Sequence, residues 1–187
     1  MKHAFKGLVA AALLVPAVVS AEGLSYNYAE LGLAVYDADG QTPIGPDFRA
    51  SASLNENVFL YGGLRILSDD IDYTNLYAGA AYRHGLNTQT DLWGGANLEY
   101  QDVEVCAGLG GCASDDETSL ALRGGVRHQL DSKVEIGAHL RIITGDYDYV
   151  GYTGYGRFKA SDNLSLKAEL DVQDGDLGLF LGGTLFF

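Results

Sequence analysis

From residue 22 onward the chain repeats one kind of segment, about ten residues of alternating apolar and polar positions followed by a short polar connection. Period-two alternation marks a β-strand with one apolar face, and no stretch keeps a helical period over three turns. In LSLKAELDV, Leu164, Leu166, Ala168, Leu170 and Val172 share one face, while Lys167, Glu169 and Asp171 share the other. VEIGAHLRI sets Val134, Ile136, Ala138, Leu140 and Ile142 against Glu135, His139 and Arg141. LALRGGVRHQL sets Leu120, Leu122, Val126 and Leu130 against Arg123 and Arg127. The pattern predicts an all-β chain of ten strands, at 24–37, 47–54, 58–67, 73–84, 90–103, 118–129, 133–144, 149–159, 164–172 and 177–187. Eight strands is the alternative, because 47–54 and the SDDID hairpin alternate least clearly.

Alternation alone also fits a soluble β-sandwich. Two features favour an antiparallel up-and-down transmembrane barrel. Tyr26, Tyr28, Tyr36, Tyr73, Tyr82, Tyr100, Tyr149 and Tyr152 stand near segment ends, as aromatic girdles at a bilayer surface would. The connections also fall into two alternating sets, one of mostly tight turns (55–57, HGLNTQ, 130–132, 161–163) and one strongly acidic. The acidic set is DADGQTPIGP, SDDID, EVCAGLGGCASDDE, GDYD and QDGD, and it contains no Lys or Arg. Every second connection at the same end is what an up-and-down barrel requires. With the N-terminus periplasmic, the acidic set faces outside, beginning with Asp37 and Asp39 and continuing through Asp69, Asp70, Asp72, Asp115, Asp116, Glu117, Asp146, Asp148, Asp174 and Asp176.

If the apolar faces meet lipid, the other faces fill the lumen. The residues assigned inward are Glu30, Arg49, Tyr61, Arg65, Arg83, Trp93, Asn97, Glu99, Arg123, Arg127, Glu135, His139, Arg141, Arg157, Lys159, Lys167 and Glu169. Isolated charge in a narrow lumen is expensive, so a network of Arg–Glu pairs is expected there.

Composition narrows the function. A net charge of −13 opposes nucleic-acid binding, which needs clustered Lys and Arg. Lys2, His3 and Lys6, the apolar run GLVAAALLVPAVVSA and the small residues Val19-Ser20-Ala21 read as a secretory signal over 1–21, leaving 22–187 as one barrel domain. An exported chain meets an oxidising compartment, so Cys106 and Cys112 are expected to form a disulfide, with a metal site the weaker reading for two thiolates lacking nearby His. The mature histidines His84, His128 and His139 stay away from the acidic rim, so no base meets a nucleophile, no phosphate loop is present, and an enzyme, cofactor or dedicated metal site is not expected.

The terminal LFLGGTLFF, ending at Phe187, is similar to the signal by which outer-membrane β-barrels are recognised for assembly. NENVFLYGG, LRGGVRHQLDSKVEIGA and GRFKASDNLSLKAEL resemble the strand–turn–strand units of small OmpA-like and opacity-type barrels. GLSYNYAELGL resembles the opening strand of an outer-membrane protein family of xanthomonad-type bacteria. The resemblance implies a bacterial outer-membrane barrel with exposed loops, contact with lipid and lipopolysaccharide, and delivery by the barrel-assembly machinery. Carboxylates beside lipid phosphates also make weak binding of Ca²⁺ or Mg²⁺ an expectation, though solvated turn residues explain them as well. Two functional readings follow: a structural or surface-interaction barrel with a charge-filled lumen and an exposed cystine loop at 104–117, or a small anion-favouring channel, since inward cations outnumber inward acids.

Overall fold

Residues 24–37, 40–69, 71–106, 112–145 and 148–187 are described by the computed structural model. The expected signal at 1–21 lies outside them, as do Asp39, Asp70, Asp146 and residues 107–111. The ten strands are β1 (Tyr28–Asp37), β2 (Ile44–Ser53), β3 (Val58–Leu67), β4 (Ile71–Asn87), β5 (Thr90–Cys106), β6 (Cys112–Gln129), β7 (Val134–Thr144), β8 (Tyr149–Lys159), β9 (Leu164–Gln173) and β10 (Asp176–Phe186). Each pairs antiparallel with its neighbours in sequence, and β1 closes on β10 with Tyr28 opposite Phe186. The sheet therefore has no open edge, the condition for putting a sheet in lipid, where no water satisfies a free N–H or C=O.

The alternation sorts side chains to two environments. Leu98 is 64 % exposed on the outer face while Glu99, the next residue, is fully buried inside. Leu31, Leu122, Leu140, Leu170 and Leu181 continue the outer apolar belt on other strands. Strands β1, β2, β3 and β9 have 10 residues and β7, β8 and β10 have 11, close to the roughly 9–11 that cross a bilayer as a tilted strand. β4, β5 and β6, with 17, 17 and 18 residues, run well past that height.

This overhang corrects one expectation. The segment 104–117, read as a long loop, is mostly a continuation of the β5–β6 ladder, with Asp102 opposite Asp116, Glu104 opposite Ser114 and Cys106 opposite Cys112. Acidic composition had hidden the alternation. At the same end β9 and β10 are joined by Asp174 and Gly175, both at positive φ (50° and 98°), the conformation of a tight hairpin turn that Asp-Gly adopts readily. The opposite end carries the short connections, such as 54–57 and 88–89.

The lumen contains three stacked layers. At the short-turn end the segment before β1 turns inside, where Leu24 and Tyr26 pack with Phe59 and Ala81 against Tyr61 and Trp93. Backbone carbonyls of Leu24 and Ser25 are held by Arg83 and Arg127. Toward the long-hairpin end, Ala34, Tyr36, Leu67 and Phe180 form a second apolar cluster with Tyr73 beside it. Charged side chains fill the space between. Inward glycines make room for rings: at Gly137 the Tyr155 ring lies 2.5 Å from where a Cβ would stand, and Tyr36 lies equally tight over Gly178.

Candidate functional site

The middle layer is one unbroken chain of ion pairs that crosses the lumen repeatedly. Arg127 (β6) donates through Nε and Nη2 to both oxygens of Glu135 (β7), each at 3.0 Å. Glu135 also accepts from Arg157 (β8) at 2.8 Å, and Arg157 reaches on to Glu30 (β1) at 2.6 Å. Glu30 accepts from Lys167 (β9) at 3.0 Å and from the Thr184 hydroxyl (β10) at 3.0 Å. Lys167 lies 2.8 Å from Glu169, whose two oxygens take Arg49 (β2) at 2.8 and 2.9 Å. Arg49 and Arg65 (β3) share Asp47, each at 2.8 Å. Arg65 lies 3.9 Å from Asp171, and Asp171 lies 3.8 Å from Arg141 (β7). Glu99 (β5) ends the chain between Arg141 at 3.5 Å and Arg123 (β6) at 2.9 Å.

Burying any one of these charges alone would cost several kcal/mol, and only pairing with further hydrogen bonds offsets it. The chain supplies both. Glu99 also accepts from Asn75 of β4, and Asp171 from Tyr36, Thr153 and Gln173, so all ten strands contribute to the layer. Each cation in addition sits over an aromatic ring: Arg123 over Tyr77 at 4.1 Å, Arg127 over Tyr26 at 4.3 Å, Arg49 over Phe180 at 4.5 Å and Lys167 over Tyr155 at 4.7 Å. Arg65, Arg141 and Arg157 meet Tyr36, Tyr149 and Tyr155 at 4.8–5.3 Å. A desolvated cation gains most from such a ring.

These contacts correct the girdle expectation for five tyrosines. Tyr26, Tyr28, Tyr36, Tyr73 and Tyr149 lie inside, whereas Tyr82 and Tyr152, each 55 % exposed, face outward. Parity distinguishes the two groups, since position near a strand end does not say which side a ring takes. Lys159 is also corrected: it sits at the short-turn rim, its side chain 44 % exposed, 3.4 Å from Asp162. Arg83 points inward but below the chain, near Asp91 at 3.6 Å, while Tyr61 and Asn97 are hydrogen-bonded to each other. His139 packs against Trp93 with ring centroids 5.6 Å apart and the rings tilted by 53°.

Three inward acids were missing from the sequence assignment: Asp47, Asp91 and Asp171. Asp171 shares the parity of Lys167 and Glu169, and Asp47 that of Arg49, so the signal was present. Asp47 was obscured by Pro46 at the margin of a connection. With Asp47 and Asp171 the chain holds seven cations and six carboxylates, against nine inward cations and four acids in the sequence assignment.

Little space remains. Between the charged side chains lies a cavity of about 100 Å³, bordered by Arg123, Arg141, His139, Tyr77 and Glu169. That admits a few water molecules or one small ion. A second hollow, about 330 Å³, opens at the short-turn end among Leu24, Lys133, Lys159 and Phe186. Arg157 borders both and stands between them.

No family model matches the chain, and neither does any curated protein. Solved structures do. The KdgM porin in complex with disordered oligogalacturonate superposes with a TM-score of 0.53 at 12% identity, covering 86% of this chain and 99% of that one. The attachment invasion locus protein Ail of Yersinia pestis gives 0.43 at 15% identity, over 87% and 99% of the two chains. The N-terminal β-barrel domain of Pseudomonas aeruginosa OprF gives 0.46 at 15% identity, over 86% and 98%. At such identities the likeness is one of architecture, carried by the first of these: the chain has the fold of an outer-membrane β-barrel.

Proposed function

We propose that this protein is an integral outer-membrane barrel of the small OmpA-like and opacity type, without enzymatic activity, whose lumen is closed and whose work is done at its long-hairpin end. The observation that carries this reading is the continuous ion-pair chain, which fills the lumen at mid-barrel around a cavity of about 100 Å³. A permeant solute would have to break buried charge pairs to pass. The near balance of seven cations and six acids also weakens the basis for an anion-favouring channel.

In this reading the short turns are periplasmic and the β4–β6 overhang projects outward. Its ladder continues to Cys106 opposite Cys112, the placement a disulfide needs to pin the tip. Asp72, Asp102, Glu104 and Asp116 lie on adjacent strands of the overhang, a face that would meet lipopolysaccharide phosphates through divalent cations. Conductance in a planar bilayer tests the closed lumen. Protein lacking 1–21, shown to be folded, is expected to give no steps. Reproducible anion-selective steps that shift in an Arg123→Glu, Arg127→Glu variant would establish a channel instead.

A further inference from the structure

The ion-pair chain is one carboxylate short, and the shortage has a location. Register places Arg123 directly opposite Arg141 across the β6–β7 ladder, both pointing inward. Like charges so placed repel, and a second such cross-strand pair, Arg157 opposite Lys167, has Glu30, Glu135 and Glu169 around it. Among the described residues, Arg123 and Arg141 have Glu99 between them at 2.9 and 3.5 Å, and beyond it only Asp171, 3.8 Å from Arg141. Each side chain is 8 % exposed. Each also retains a buried nitrogen that makes no hydrogen bond among the described residues: Nε of Arg123, and Nη2 of Arg141, which meets Asp171 only at 3.8 Å. Both arginines border the 100 Å³ cavity.

A buried positive surplus beside a cavity of that size, with buried guanidinium nitrogens that make no hydrogen bond, suits a bound anion. We propose that the cavity binds one small monovalent inorganic anion of the chloride type, held by Arg123 and Arg141. One negative charge brings the chain to neutrality, and it supplies the acceptor both donors lack. A divalent anion would overcompensate, and a large organic anion such as gluconate exceeds the space. This goes beyond the reading of the barrel as closed and does not depend on it.

The test is to refold the signal-free protein into detergent in sodium chloride, sodium bromide or sodium gluconate at one ionic strength and to record thermal melting. Ligand that binds only the folded state raises the melting temperature, so both halides should exceed gluconate by about 3 °C, saturating with concentration. Arg123→Gln, which brings the chain to six against six, should lose the halide increment. Crystals grown in bromide should show an anomalous peak in the cavity touching both arginines, a readout that stands even where the variant does not fold. Equal melting in all three salts, an undiminished increment in Arg123→Gln, or bromide found only on the surface would each overturn the site.

Discussion

Strand β9 carries two faces that obey different rules. Its even positions, Leu164, Leu166 and Leu170, lie exposed on the outer belt. Its odd positions, Ser165, Lys167, Glu169 and Asp171, are all buried, and the last three are tied to partners on β1, β2, β3, β7 and β8. The outer face asks only for apolarity. The inner face asks for particular residues, because each charge is satisfied by a named partner on another strand. A barrel of this kind inverts the usual soluble arrangement: jigsaw specificity lies in the polar interior, and the apolar exterior tolerates exchange among Leu, Ile, Val and Phe.

The comparison can be broken from either side. The largest effect should come from inside. Glu30→Leu leaves Arg157 and Lys167 without their shared acceptor, and removing one partner of a buried pair costs about 3–5 kcal/mol. Urea unfolding in lipid vesicles measures it, and a loss below about 1 kcal/mol would mean the interior is solvated like a surface. On the outer face, Leu170→Arg should cost about 2–4 kcal/mol near the middle of the belt, whereas Leu170→Val should cost less than about 1.5 kcal/mol. A large penalty for Val would show that the belt is packed against something other than lipid. The smallest effect belongs to neither face. Gly175→Ala in the β9–β10 turn, at φ 98°, should cost about 1 kcal/mol without changing the barrel's mobility on unheated gels.

The sequence showed the architecture because a period of two leaves little choice once ten segments repeat it. The strand at 58–67 matches its observed bounds, as does 149–159. What stayed hidden depends on contacts between distant strands. Nothing near Tyr36 or Tyr149 in the chain announces the arginines they cover, Arg65 and Arg141. The turn-like composition at Pro46-Asp47 outweighed the parity that Asp47 shares with Arg49. The acidity of VEVC and CASDDE outweighs their alternation, so composition points to a loop where the structure has a ladder. The surplus at Arg123 and Arg141 needs register: the residues are 18 apart in sequence, and only the β6–β7 pairing sets them face to face.

The central claim is that the interior charges act as one coupled core, and a double-mutant cycle on Arg127 and Glu135 tests it most directly. These two meet through paired hydrogen bonds of 3.0 Å across the β6–β7 hairpin. Arg127→Met and Glu135→Leu should each destabilise the barrel by about 3 kcal/mol, while the double variant should recover about 2 kcal/mol or more of the summed loss. Strict additivity of the two losses would contradict the account, because it would mean that the facing charges are independently solvated in an open, watery lumen.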